Sequence, residues 1–175
     1  GQEAAQHGRP LDEDAAADDS VAETERWNDG PTGLGDRLRL IALGERHGKA
    51  ENDSRLLREA GGDLCLLLNE DAELRPGAVA ALVGALADDP EAVAAGAKLL
   101  DPQGEPQPSA WRLPGLATSL ASAAFLHRAL VTQSRGDRTR EVGWVQSAAM
   151  LVRRDAVATI GYFDPSFFVY SDETD

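Results

Sequence analysis

An unbroken apolar run, Leu64-Cys65-Leu66-Leu67-Leu68, stops abruptly at Asn69-Glu70-Asp71-Ala72-Glu73-Leu74. Apolar residues without strict polar alternation read as a strand over Asp63–Asn69 that is covered on both faces. Such a strand requires packing layers on both sides, so this run limits the fold more than any other segment. The acid at its end limits the chemistry. Asp71 and Glu73 are spaced i, i+2, which in extended backbone places both carboxylates on one face. Hard oxygen ligands at the end of a buried strand suit Mg²⁺ or Mn²⁺, above all a cation that also holds a diphosphate. A strand surfacing into a solvated acidic turn has the same composition.

The flanking segments alternate between strand and helix patterns. Leu38-Arg39-Leu40-Ile41-Ala42-Leu43 is a short strand candidate, Gly44–Asn52 a loop, and Ser54–Ala60 a short helix closed by Gly61-Gly62. Pro76 suits the first turn of a helix, and Val79, Leu82, Val83 and Leu86 then form one apolar stripe at i, i+3, i+4 and i+7. Val93–Leu100 is another strand candidate, Asp101–Ser109 a proline-bearing loop, and Leu116–Val131 a helix. Trp144–Val152 reads as a strand and Asp155–Ile160 as a helix stopped by Gly161. Alternating strands and helices predict an α/β domain with a mainly parallel sheet flanked by helices. Ligands of such sheets bind at the carboxyl ends of strands, where Asp71 and Glu73 fall.

Residues 1–36 differ from residues 37–175. They hold the acidic cluster Asp12, Glu13, Asp14, Asp18 and Asp19 and few large apolar residues, so they are expected to bury little and to be poorly ordered. Val21–Trp27 has the length of two helical turns, and Asn28-Asp29-Gly30-Pro31 is a turn signal. The net charge of −13 over 175 residues argues against a nucleic-acid partner, because phosphates would be repelled. Cys65 is the single cysteine, which excludes an internal disulfide and fits a reducing, cytoplasmic setting. No apolar run approaches the roughly 20 residues of a spanning helix. The polar, acidic start does not resemble a signal peptide, and peripheral membrane association is compatible with the sequence. His7, His47 and His127 show no metal-binding spacing.

Several segments, in order, resemble the family-two glycosyltransferases, with the rhamnosyltransferase-like branch nearest. Asn69-Glu70-Asp71-Ala72-Glu73-Leu74 resembles the family's variant of the DxD motif. Trp144-Val145-Gln146-Ser147-Ala148-Ala149-Met150-Leu151-Val152-Arg153-Arg154 resembles its acceptor-side strand. Gly161-Tyr162-Phe163-Asp164-Pro165-Ser166-Phe167-Phe168 and Tyr170-Ser171-Asp172-Glu173-Thr174-Asp175 resemble the segment that carries the catalytic base. Gly48-Lys49-Ala50 is similar to the loop between donor-binding strands.

The resemblance implies a GT-A (Rossmann-like) fold, a nucleotide-diphosphate sugar donor, a divalent metal, Mg²⁺ or Mn²⁺, and an inverting transfer to a glycan or lipid-linked acceptor. It assigns the metal to Glu73, with Asp71 at the metal shell or the ribose, and the general base to Glu173, with Asp172 beside it. Lys49 is a candidate for a donor phosphate. Trp111 and Trp144 are candidates for an acceptor groove or for the core. Arg153 and Arg154 are expected to support the following helix or to stay solvated. The family's opening strand and nucleotide-gripping turn have no counterpart. The nearest match to its second strand is the polar stretch Leu11–Ser20, where Glu13 or Asp14 takes the base-binding acid position. Asn52-Asp53-Ser54 stands where the family has an asparagine pair. A fragment, or a divergent member with a damaged donor site, is therefore expected. A non-catalytic homologue that binds a sugar nucleotide or a partner protein is the principal rival. A nucleotidyltransferase on a similar sheet is a weaker one, since no Gly-rich basic loop is visible.

Overall fold

The computed structural model describes residues 20–43, 45, 47–113, 132, 136 and 138–166. The chain divides into two units, Gly1–His47 and Gly48–Asp175.

In the first unit, helix α1 (Ser20–Asn28) forms where two helical turns are expected. Asn28 organises the loop that follows. Its Oδ1 accepts from the backbone N–H of Leu34 (2.9 Å) and Gly35 (2.8 Å), and its Nδ2 donates to the Gly35 carbonyl (3.3 Å). A single 3-10 turn, Gly35–Arg37, comes next. Leu38–Leu43 pairs with no strand among the described residues, contrary to its pattern. β-propensity reports how well a residue suits a pleated, packed surface, and a strand without a ladder partner has no such surface.

The second unit is mixed α/β. Its elements are α2 (Lys49–Glu59), β1 (Leu64–Leu68), α3 (Ala78–Asp88), β2 (Ala94–Gly96), β3 (Ala110–Trp111), β4 (Trp144–Val145), β5 (Ala149–Arg153) and α4 (Arg154–Ile160). The main sheet has the order β1-β5-β2. Leu64 faces Arg153 and Leu68 faces Ala149 across one ladder; Ala94 faces Val152 and Gly96 faces Met150 across the other. Both ladders are antiparallel. This corrects the expected mainly parallel pairing. β1 and β2 do run in the same direction, but β5 lies between them and takes the hydrogen bonds of both.

The fully covered strand is therefore β5 and not β1. Ala149, Met150, Leu151 and Val152 are all buried, whereas Leu68 in β1 is exposed. Side chains of a strand alternate between faces, and the core divides accordingly. Met150 and Val152 pack with Leu57 of α2, Leu67 of β1 and Val157 of α4. Leu151 packs on the other side with Leu82 and Leu86 of α3. The stripe expected on α3 is thus half used: Leu82 and Leu86 are buried, Val79 and Val83 exposed. The continuous strand expected over Trp144–Val152 is broken at residues 146–148, so that β4 pairs with β3 in a separate small sheet. The two sheets meet closely at Gly96, where a Cβ would lie 2.5 Å from that of Val145.

Arg153 and Arg154 have definite tasks. The Arg153 guanidinium donates to the carbonyls of Leu86 (2.6 Å) and Ala92 (3.0 Å), where α3 runs out and its last carbonyls lack helical partners. Arg154 donates to Gly62 (2.8 Å). Hydrogen bonds from a charged donor contribute about 1.5–3 kcal/mol. Arg153→Ala should therefore lower unfolding free energy by about 2 kcal/mol in urea titration, and Arg153→Lys should recover only part, because one ammonium cannot reproduce the planar fork.

Candidate functional site

The acidic turn forms because β1 ends at Leu68 and the backbone is caught immediately afterwards. The Asn69 N–H donates to the Ala148 carbonyl (3.0 Å), and the Ala72 N–H donates back to the Asn69 carbonyl (3.1 Å). The first bond ties the end of β1 to the residue preceding β5. The second closes a turn over residues 69–72. Asp71 lies within this turn rather than in extended backbone, and Glu73 lies in the extended piece that follows. Both side chains are exposed, while Ala72 and Leu74 between and after them are partly covered. The sequence places the pair correctly at the carboxyl end of β1. Of the two readings open for Asp71, extended backbone or a solvated acidic turn, the structure takes the turn, and Asn69 is its local signal, because an asparagine side chain readily bonds nearby backbone. Pro76 stands just ahead of α3, whose N-cap is Gly77.

Among the described residues no three His, Cys, Asp or Glu side chains gather into a metal site. Glu70, Asp71 and Glu73 all carry exposed carboxylates here, and the candidate donors are Asp71 and Glu73. This fits Mg²⁺ or Mn²⁺, which are commonly held by one or two carboxylates with substrate phosphates and water filling the remaining positions.

Lys49 lies in a helix and not in a loop, and its side chain is only partly exposed. It opens α2, and its Nζ donates to Asp53 at 2.5 Å, one helical turn on. Asp53 is buried at 8% exposure, so this pair neutralises an acid that has lost most of its water. Gly48 is the N-cap of the same helix. α2 begins five residues before the expected Ser54, and that difference hides its pattern. Ala50, Asp53, Ser54 and Leu57 are its buried residues. They recur at i, i+3, i+4 and i+7, an amphipathic stripe whose middle two members are polar.

Ser54 makes a buried polar contact that the sequence does not reveal. It is 2% exposed. Its Oγ accepts from the Phe163 N–H (3.1 Å) and lies 3.3 Å from the Phe163 carbonyl, to which it donates. Around this contact, the Arg58 guanidinium lies 4.5 Å above the Tyr162 ring, and Tyr162 and Phe163 pack against the cluster that contains Leu57. Gly161 ends α4 with φ +112°, and Tyr162 follows with φ +67°. Just beyond, the Ser166 N–H donates to the Asp164 carboxylate (2.8 Å), which holds that carboxyl below its ordinary range.

Trp111 and Trp144 face each other across the β3–β4 pair. Their rings stack with centroids 4.4 Å apart and planes inclined by 22°. Beside Trp144 lies an open cleft of about 910 Å³. Ala81, Leu82 and Ala95 contribute apolar lining; Lys98, Arg138 and Arg140 contribute cations, and Asp89, Glu91 and Glu141 an equal number of carboxylates. Cys65 is partly covered, and burial pushes its thiol up, which keeps it protonated and inert. Asp14, Asp172 and Glu173 lie outside the described residues. The structure thus puts Asp71 in the turn that ends β1, Glu73 in the extended piece just after it, and Lys49 on Asp53.

Residues 12–158 match the family model described as "Glycosyl transferase family 2". The match starts well before residue 37; it takes in Glu13 and Asp14 as well as the acidic turn, and ends before Asp172. Two curated relatives, each named N-acetylglucosaminyl-diphospho-decaprenol L-rhamnosyltransferase, come from Mycobacterium tuberculosis strains CDC 1551 / Oshkosh and ATCC 25618 / H37Rv. Each is 32% identical over 121 residues, 65% of this chain. That stretch is 39% of each relative, so the chain spans well under half the length of the curated proteins it matches. No solved structure matches significantly. With the family model covering most of the chain, the acidic turn acquires its context: this chain belongs to glycosyl transferase family 2.

Proposed function

We propose that the full protein is an inverting glycosyltransferase of GT-A fold that moves a sugar from a nucleoside-diphosphate donor to a lipid-linked or glycan hydroxyl. The carrying observation is the exposed Asp71/Glu73 turn at the carboxyl end of β1 in a chain of this family. Glu73 and Asp71 would hold Mg²⁺ or Mn²⁺ there, Asp71 alternatively meeting the donor ribose. Such a cation, when bound, offsets the charge that collects on a departing nucleoside diphosphate. The chain's own contribution is orientation. The Asn69–Ala148 and Ala72–Asn69 hydrogen bonds fix the turn before any ligand arrives, and preorganised groups need little rearrangement during reaction. Inversion is a single displacement, so the acceptor hydroxyl needs a base on the far side of the sugar. Glu173 is assigned that role, with Asp172 beside it and Asp14 at the nucleotide base.

A lipid-linked acceptor is proposed because the relatives are named for one, N-acetylglucosaminyl-diphospho-decaprenol. The cleft beside Trp144 adds apolar lining, with the cations Lys98, Arg138 and Arg140 matched by Asp89, Glu91 and Glu141. No helix among the described residues is long and apolar enough to cross a membrane, and peripheral association at the inner membrane face is the proposed means of reaching such a lipid. The polar Leu11–Ser20 stretch, where the family has its second strand, favours a second reading, a non-catalytic homologue that binds a sugar nucleotide or a partner protein. Donor hydrolysis and transfer by the full-length protein separate the two.

Calorimetry should show Mn²⁺ binding weakly alone and more tightly with a nucleoside diphosphate. Glu73→Ala should abolish the diphosphate-dependent part. Binding that is unchanged in Glu73→Ala would remove the metal site from this turn.

A further inference from the structure

We propose that Arg75 is a further donor-binding residue, whose guanidinium binds the diphosphate of the nucleotide sugar; this role rests on Asp71 and Glu73 holding the donor's cation. Arg75 stands two residues beyond Glu73. Both are exposed and Leu74 between them is partly covered, so the two side chains leave the same side of the extended piece. The backbone of Arg75 is fixed. Its carbonyl accepts from the Ala78 N–H (3.0 Å) across Pro76 and Gly77. Gly77 has φ +85° and ψ −8°, the third position of a type II turn, and proline suits the second. Arg75 is thus anchored between the acidic turn and α3.

The side chain reaches a second segment. A Cβ on Gly104 would lie 3.6 Å from the Arg75 Nη2, so the guanidinium rests beside the loop that follows β2. β1 and β2 run the same way, both antiparallel to β5. The acidic turn and that loop therefore share the carboxyl edge of the sheet, where ligands of α/β sheets bind. The loop is internally tied: the Asp101 Oδ1 accepts from the N–H groups of Gln103 (2.9 Å) and Glu105 (2.8 Å), and the Gly104 N–H donates to the Asp101 carbonyl (2.9 Å). Charge then selects the ligand. Glu70, Asp71 and Glu73 closely precede Arg75 and are exposed, yet Arg75 pairs with no carboxylate among the described residues. Lys49, the other candidate for a phosphate, is engaged by Asp53. A chain of net charge −13 repels a diphosphate. An unpaired guanidinium offsets that repulsion locally, and its planar fork matches phosphate oxygens.

The test uses the full-length protein and calorimetry with Mn²⁺ and whichever of UDP, dTDP, GDP and ADP it binds most tightly. Arg75→Gln should raise the Kd of that diphosphate in the presence of Mn²⁺ by about 10–100-fold, the range of a charged hydrogen bond. Arg75→Lys should recover part, because the charge returns without the fork. Mn²⁺ alone should bind as tightly as before or more tightly, since a positive charge has left its surroundings. Weaker Mn²⁺ binding without nucleotide would place the effect on the acidic turn and overturn phosphate binding by Arg75. Arg55→Gln, which removes the same charge from an exposed pair with Glu59 on α2, is the control and should leave both affinities unchanged. An unchanged diphosphate Kd in Arg75→Gln, beside a Glu73→Ala protein that has lost diphosphate-dependent Mn²⁺ binding, would overturn the role of Arg75 alone. Intact diphosphate-dependent binding in Glu73→Ala, or no binding of any of the four nucleotides to the wild-type protein, would instead overturn the donor site on which that role rests. A raised KM for a lipid-linked acceptor with an unchanged nucleoside diphosphate Kd would assign the arginine to the acceptor's diphosphate and overturn the donor assignment.

Discussion

Glu173→Gln in the full-length protein is expected to lose about 10²–10⁴-fold in transfer rate while donor affinity stays near normal. The amide keeps the side chain's shape but cannot accept the acceptor's proton at neutral pH. The loss should therefore fall on kcat and spare donor binding, the pattern of an interaction made in the transition state. Asp172→Asn should be milder. The reverse order of severity would place the base one residue earlier, and two active variants would place it elsewhere in the protein. Steady-state kinetics with the donor varied, and isothermal titration of the donor in the absence of acceptor, supply the readouts.

The second large effect is on stability. Leu57→Ala is expected to reduce unfolding free energy by about 2–5 kcal/mol, a large share of the roughly 5–15 kcal/mol that holds a typical domain together. Leu57 is 1% exposed and meets Leu67, Met150, Val152 and Val157. Its removal leaves a void bordered by α2, β1, β5 and α4, which cannot all move inwards at once. Denaturant titration followed by tryptophan fluorescence measures this directly. A loss below about 1 kcal/mol would show that the cluster collapses onto the void, since the cost depends on how well the site relaxes.

β1 and α3 are legible in the sequence because each carries its own signal: a polar-free run for β1, a helical stripe with an Asp-Asp-Pro stop for α3. Partners are not legible in the same way. Period and composition identify a strand but say little about which strand lies beside it. Hence β5 was expected as part of a longer segment and proves to be the centre of the sheet. Leu38–Leu43 shows the converse, a strand-like pattern without a ladder among the described residues. At the site, Asp71 and Glu73 are conspicuous because acid at the end of an apolar run is a local feature. Ser54 is not, because its meaning lies in a hydrogen bond to a residue 109 positions away. Lys49 illustrates an intermediate case. Its i+4 spacing to Asp53 is readable only once the helix start is placed correctly.

The central place of β5 also governs the order in which the protein can be made. A ribosome releases β1 and β2 long before residues 149–153, so both strands wait in the nascent chain with unpaired N–H and carbonyl groups. During that interval the apolar Leu64–Leu68 run has no sheet to join. Contacts of high sequence separation form late and slowly, and exposed strand edges invite association with other chains. The sheet can therefore close only once residues 149–153 have left the ribosome, and a pause before that point lengthens the time for which β1 and β2 stay unpaired.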